Sequence, residues 1–142
     1  VHPIWQRDLS LFDLNQLTQN GLIAHLGISF VEKGADFLVC EMEIKEPHLQ
    51  PMGVCHGGAV AAMAETAGNG AGLCAVSAQE LAVCLELNIN HLRHVRLGAL
   101  LRATARALHL GKRTQVWNVL IEEKGVGLTS ASRMTLSILK KP

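Results

Sequence analysis

The sequence predicts an α+β fold, an antiparallel sheet wrapped around one long central helix, with short helices at the N-terminus. Three observations predict it. Six stretches alternate apolar and polar residues, the period of a strand with one buried face. One run of small residues after His56 instead repeats its apolar positions at helical spacing. Gly- and Pro-containing turns separate these stretches in the order strand, strand, long helix, then four strands in a meander.

Asp8 to Thr18 reads as a short amphipathic helix with Leu11, Leu14 and Leu17 as its stripe and Ser10 as its cap. Leu22 to Leu26 is a second apolar turn ended by Gly27. Ile28 to Glu32 and Phe37 to Ile44 read as strands joined through Lys33-Gly34. In the second, Leu38, Cys40, Met42 and Ile44 alternate with Glu41, Glu43 and Lys45. Ala82 to Arg93 is the clearest strand. Period two sets Val83, Leu85, Leu87 and Ile89 on one face, with His91 continuing it, and Glu86, Asn88 and Asn90 on the other. Ala99 to His109, Arg113 to Glu122 and Leu128 to Ile138 complete the set, separated by Leu110-Gly111-Lys112 and Lys124-Gly125-Val126-Gly127.

The 142 residues are 49% hydrophobic, which fits one globular domain over 1–142 with a full core. The net charge of +1 argues against nucleic acid or an anionic membrane as main partner. No apolar run reaches the roughly 20 residues of a membrane span. The first residues are too polar for a secretory signal, so a cytoplasmic protein is expected. The four cysteines show no CxxC and no paired-ligand spacing. Cys40, Cys74 and Cys84 read as small core residues in a reducing compartment. Cys55, beside His56, is a lesser candidate nucleophile that needs an activating base.

The stretch from His48 to Cys74 carries the chemistry. Pro51 and Gly53 break regular structure before the helix, and Val60, Ala64, Ala67, Ala71 and Cys74 form its apolar stripe. Ala61, Glu65, Asn69 and Gly72 fall on another side, with Glu65 and Asn69 neighbours four apart. Glu65 is the only charge between Glu46 and Glu80. A helix without a charged face is expected to be buried, in the fold or at an interface, and its carboxyl with it. Gly57, Gly58, Gly68, Gly70 and Gly72 each disfavour a helix interior by about 1 kcal/mol against Ala, so close packing or a ligand must compensate. The helix alone fits a structural hydrogen-bonding Glu as well as a catalytic one.

HGG opening a buried helix with Glu65 inside it resembles the hotdog-fold thioesterases. The phenylacetate-type branch, which includes aryl-CoA thioesterases, is the nearer resemblance. It runs from Ile4-Trp5 through HLQPMGVCHGGAVAAMAET, NINHLRHV and LHLGKRTQVW to SRMTLSI. The resemblance implies a thioester hydrolase for an aromatic acyl group of hydroxybenzoyl or hydroxynaphthoyl type. Glu65 would be the catalytic carboxylate, as nucleophile or general base. Gln50 and His56 would polarise the carbonyl, the Gly57 N–H would bind the oxyanion, and His91 would face the same pocket. The substrate would be an acyl-CoA or acyl carrier protein thioester. No resident cofactor or metal is implied, since coenzyme A arrives with the substrate. The resemblance also implies a homo-oligomer, a dimer or dimer of dimers, with Glu65 and Gln50 of one site on different chains. Arg93, Lys112 and Arg113, and more weakly Arg133, are candidates for the cofactor's phosphates. Asn69 departs from the Ser or Thr common in relatives, which bears on acyl choice, and Arg93-His94 replaces a common Arg-Pro. Competing readings are an acyl-binding protein, a hydratase or dehydratase, and a metal site of His48, His56, His91 and His94, which lacks an HExxH or an HxxxH pair.

Overall fold

The computed structural model describes residues 2–142. Helix α1 covers Leu11–Leu17. The Ser10 hydroxyl accepts from the Asp13 N–H at 3.1 Å, and the Asp13 carboxylate accepts from the Ser10 N–H at 2.8 Å. This capping box starts the helix and holds the Asp13 carboxyl below its ordinary range. Helix α2, Leu22–Leu26, ends at Gly27, whose φ of 72° is left-handed. Strands β1 (Ser29–Lys33) and β2 (Phe37–Glu43) follow. Helix α3 spans Gly57–Cys74. The chain closes with β3 (Glu80–His91), β4 (Leu100–Leu110), β5 (Thr114–Glu123) and β6 (Gly127–Lys140).

The six strands form one antiparallel sheet in the order β1-β2-β4-β5-β6-β3. The expected four-strand meander is therefore corrected: β4, β5 and β6 form one, but β3 pairs with β6 at the far edge. Residues 92–99 between β3 and β4 are too many for a tight hairpin, and they carry the chain across to the other side of the sheet. Val95 in this link accepts the Cys55 N–H at 2.7 Å, so the link lies against the segment that enters α3.

The sheet curls around α3. Leu38, Cys40 and Met42 of β2, Leu101 and Ala103 of β4, Trp117, Val119 and Ile121 of β5, and Met134 and Leu136 of β6 are all buried in one core with α3. The expected stripe of Val60, Ala64, Ala67, Ala71 and Cys74 is the helix's share, none of it more than 3% exposed. Trp5 closes one side, stacked 6.3 Å from Trp117 and donating its indole N–H to the Gly34 carbonyl at 2.7 Å.

Two further face assignments are corrected. A bulge between Cys84 and Glu86 leaves Leu85 without a partner and flips the alternation of β3. Ala82 and Cys84 pack on the core before it, and Leu87 and Ile89 after it. Val83 and Leu85 point away and are 44% and 64% exposed. Gly72, expected beside Glu65, is buried against the sheet instead, where an added Cβ would lie 2.2 Å from Leu136 Cδ1.

The same close approach explains the glycines of α3. A Cβ at Gly68 would meet Met134 Sδ at 2.3 Å, and one at Gly70 would meet the Phe30 ring at 2.6 Å. Sheet packing is thus what offsets their poor helix propensity. Gly70→Ala gains about 1 kcal/mol of propensity but overpacks Phe30 and Leu38, at a cost of about 1–3 kcal/mol. Urea denaturation should show a net loss of stability of about 1 kcal/mol with the slope unchanged.

Candidate active site

The approach to α3 is a tightly closed loop. The Gln50 N–H donates to the Val54 carbonyl, and the Gly53 N–H donates to the Gln50 carbonyl, both at 2.9 Å. Pro51 sits at the second position of that turn, and Gly53 supplies a φ of 79°. The Gln50 side-chain oxygen accepts from the Met52 N–H. Its carbonyl end is therefore occupied, and its NH2 is left to donate. His48 anchors the loop from behind. Its Nδ1 accepts the Lys45 N–H at 2.9 Å, so its Nε2 carries the proton given to the Leu26 carbonyl at 2.8 Å. Both ring nitrogens are used structurally, which removes His48 as a ligand.

His56 is the N-cap of α3, and its Nδ1 accepts the Gly58 N–H at 2.8 Å. When neutral it carries its proton on Nε2. The Gly57 N–H has no acceptor among the described residues, and it stands at the positive end of an 18-residue helix. An added Cβ at Gly57 would lie 2.8 Å from His91 Nε2, so only glycine lets this histidine close on the helix start. A cavity of about 230 Å³ is lined by Gln50, Gly57, Val60, His91, Arg93 and Ser130, among others. Three expected site residues thus converge with Arg93, although they come from a loop, a helix start and a strand end.

Glu65 is not among them. It lies eight residues along α3 from Gly57, which is about 12 Å of helix. It lines a separate, mainly apolar cavity of about 200 Å³ with Leu22, Ile23, Leu26, Ile28 and Thr66. The carboxyl is only partly buried within one chain and has no hydrogen-bond partner among the described residues. The sequence left the fold or an interface as the place of this carboxyl, and within one chain the helix face carrying it is only partly covered. Asn69 lines an adjoining apolar cavity of about 140 Å³, which shares Ile23 and Thr66 with the first.

The basic candidates are dispersed. Arg93 reaches the Gln50 cavity. Lys112 and Arg113 sit in the β4–β5 turn, and Lys112 lines a cavity with Ala75 and Val76 at the C-terminal end of α3. Arg133 lies in a polar groove with Glu86, Asn88 and Asn118. One chain therefore does not gather these cations into one rim. Strand β3 ends at His91, and His94, beyond that end, lines the same cavity as His91.

Two contributors were not visible in the sequence. Ser130 pairs with His91 in register, and its Oγ lies 2.9 Å from His91 Nδ1. Only strand pairing brings residues 39 positions apart together. Thr66 shapes both apolar cavities while its hydroxyl donates to the Ala62 carbonyl at 2.7 Å.

The sequence profile described as the Thioesterase superfamily matches residues 52–130, more than half of the chain. This chain belongs to the thioesterase superfamily. The hydrolase is 42% identical over 135 residues to a Pasteurella multocida protein named as an esterase, covering 95% of this chain and 96% of that one. It is 38% identical over 137 residues to the 1,4-dihydroxy-2-naphthoyl-CoA hydrolase of Escherichia coli, covering 96% and 99%. The crystal structure of a Haemophilus influenzae thioesterase matches it with a TM-score of 0.93 at 38% identity, over 96% of this chain and 95% of that one. The thioesterase thus has the α+β hotdog fold.

The geometry also bears on the rival nucleophile of the thioesterase. Burial pushes the Cys55 thiol up to about 11, and its Sγ points to the His56 carbonyl at 3.6 Å. At pH 8 about one part in a thousand is thiolate, too little for an efficient nucleophile. Cys55→Ala should leave kcat within about twofold of wild type, and iodoacetamide should label Cys55 far more slowly than a free thiol.

Proposed function

We propose that the thioesterase hydrolyses acyl-CoA thioesters with an aromatic acyl group of hydroxybenzoyl or hydroxynaphthoyl type, using Glu65 as catalytic carboxylate. One observation carries the reading: hydrogen-bond donors gather at the start of α3, and the acid stands two turns away on an apolar cavity. A carbonyl held by the Gly57 N–H is out of reach of the same chain's Glu65. A second copy with its α3 running antiparallel brings its own acid to that carbonyl. Edge strand β3 supports such a pairing, since it presents unpaired backbone groups with Leu81, Val83 and Leu85 exposed. The homo-oligomer is then a symmetric dimer, alone or doubled into a tetramer, with two identical sites.

In each site the Gln50 NH2, the His56 Nε2–H and the Gly57 N–H take the thioester carbonyl oxygen. Donors held in place before the reaction gain strength as the oxygen becomes negative. Either Glu65 removes a proton from a water that attacks the carbonyl, and the resulting tetrahedral adduct collapses with cleavage of the C–S bond; or the Glu65 carboxylate attacks the carbonyl itself, the C–S bond breaks to leave an acyl–Glu65 anhydride, and water then hydrolyses that anhydride to the free acid and Glu65. In both routes the thiolate leaves without a strong acid because it is already stable near neutral pH. The apolar cavities beside Glu65 and Asn69 suit an aromatic acyl group, as does the 38% identity to the naphthoyl-CoA hydrolase. In this reading Arg93, which lines the donor cavity, takes the phosphate-bearing arm of coenzyme A, joined by Lys112 and Arg113 of the second copy. An acyl carrier protein thioester presents the same arm.

Free-thiol release should be measured over benzoyl-, hydroxybenzoyl-, hydroxynaphthoyl-, phenylacetyl- and fatty acyl-CoAs. Aryl substrates should be fastest, and Glu65→Gln should lower kcat by about 10²- to 10⁴-fold with the fold kept. A folded Glu65→Gln protein of normal turnover overturns the reading. Mixed dimers test the shared site directly. Glu65→Gln and Gln50→Ala chains, each inactive alone, should regain about a quarter of wild-type activity when unfolded and refolded together, because each mixed dimer rebuilds one intact site. Activity that does not rise on mixing excludes a site built from two chains.

A further inference from the structure

We infer that Ser130 is a positioning residue that holds His91 as a hydrogen-bond donor, with its proton on Nε2 aimed at the start of α3. The inference deepens the proposed function, since it assigns this histidine's part in the same site.

The argument is an accounting of protons. Ser130 is 1% exposed, and His91 Nδ1 at 2.9 Å is the only partner of its hydroxyl among the described residues. A hydroxyl holds one proton and two lone pairs, while a neutral imidazole has one N–H and one bare nitrogen. If Nδ1 held the imidazole proton, Ser130 would accept it and its own buried proton would have no acceptor. Unpaired buried donors are costly and rare. If Ser130 donates instead, Nδ1 is the bare nitrogen and Nε2 holds the proton.

Nε2 is the atom that faces Gly57, since it is the nearest atom to a Cβ built there. His91 and Gly57 line the same cavity as Gln50. His56 reaches the same protonation pattern by a different route, its Nδ1 accepting from Gly58. Both histidines at the helix start are therefore donors, and neither offers a bare nitrogen to water from that side. The division of labour follows: the start of α3 supplies donors only, and Glu65 is left as the base. Across the sheet from His91, Ser130 pairs with the buried Ile121, which adds no competing charge.

The tautomer is read directly by long-range ¹H–¹⁵N correlation of the unliganded, ¹⁵N-histidine-labelled protein well above the ordinary imidazole pKa of about 6.5. The signals lost in His91→Asn identify His91 among the seven histidines. The expected pattern is Nε2–H in wild type and in Ser130→Thr, and a mixture of both tautomers in Ser130→Ala. Turnover should follow, with kcat down about tenfold in Ser130→Ala, KM within about twofold, and most of kcat restored in Ser130→Thr. An Nδ1–H pattern in wild type overturns the inference, as does a Ser130→Ala protein with unchanged tautomer and unchanged kcat. The wild-type spectrum decides the matter even if Ser130→Ala does not fold. Because it needs no substrate, it stands or falls apart from the proposed reaction, which thiol release by wild type and Glu65→Gln tests separately.

Discussion

The approach of α3 to the sheet through its glycines is the constraint on which the rest of the structure depends. Gly68, Gly70 and Gly72 leave no room for even a methyl group against Met134, Phe30 and Leu136. A helix seated this closely cannot slide or rotate without clashing. Its first turn is consequently fixed relative to β3 and β6, which hold His91 and Ser130. Gly57 repeats the device at the functional end, where the missing side chain lets His91 Nε2 close on the helix start. The glycines that weaken the helix in isolation are therefore what positions its chemistry.

This seating also leaves the start of α3 free to offer hydrogen-bond donors. A helix start offers unpaired N–H groups and a favourable dipole, but only if no side chain or carbonyl fills the space in front of it. The loop from Gln50 to Cys55 is bonded back on itself and on Val95, so it stands beside the Gly57 N–H without covering it. The Gln50 carbonyl end spends its hydrogen bond on that loop, and His48 spends both ring nitrogens on Lys45 and Leu26. What remains free at the helix start is a set of donors. The acid is kept at a distance on the same helix, partly exposed in an apolar cavity walled by α2. Within one chain the donors and the acid therefore stand on separate cavities.

Much of this was legible from residue order. Ser10, Gly27 and the Lys33-Gly34 turn mark boundaries because capping and turn geometry are local, and a few consecutive residues decide them. The stripe of α3 and the alternation of β2 are legible for the same reason, since burial of one face imposes a period. The strand β3 shows where this stops. Its apolar residues alternate in the sequence, but a bulge at Leu85 sends Val83 outward and leaves Leu87 inward. A bulge is decided by pairing with β6, fifty residues away, and leaves no mark on the alternation itself. The place of β3 at the sheet edge, outside the meander, is non-local in the same way.

The candidate site divides along the same line. The sequence by itself determined the helix, its cap at His56, the isolation of Glu65 and the presence of HGG, because each depends on neighbours in the chain. Tertiary structure alone decided that Gln50, Gly57 and His91 share one cavity while Glu65 lines another. It alone supplied Ser130, and it alone separated Arg93 from Lys112 and Arg113 by the length of α3. The physical reason is that a hydrogen bond or a cavity wall requires proximity in space, and in a sheet with crossed connections that proximity is set by strand order and register.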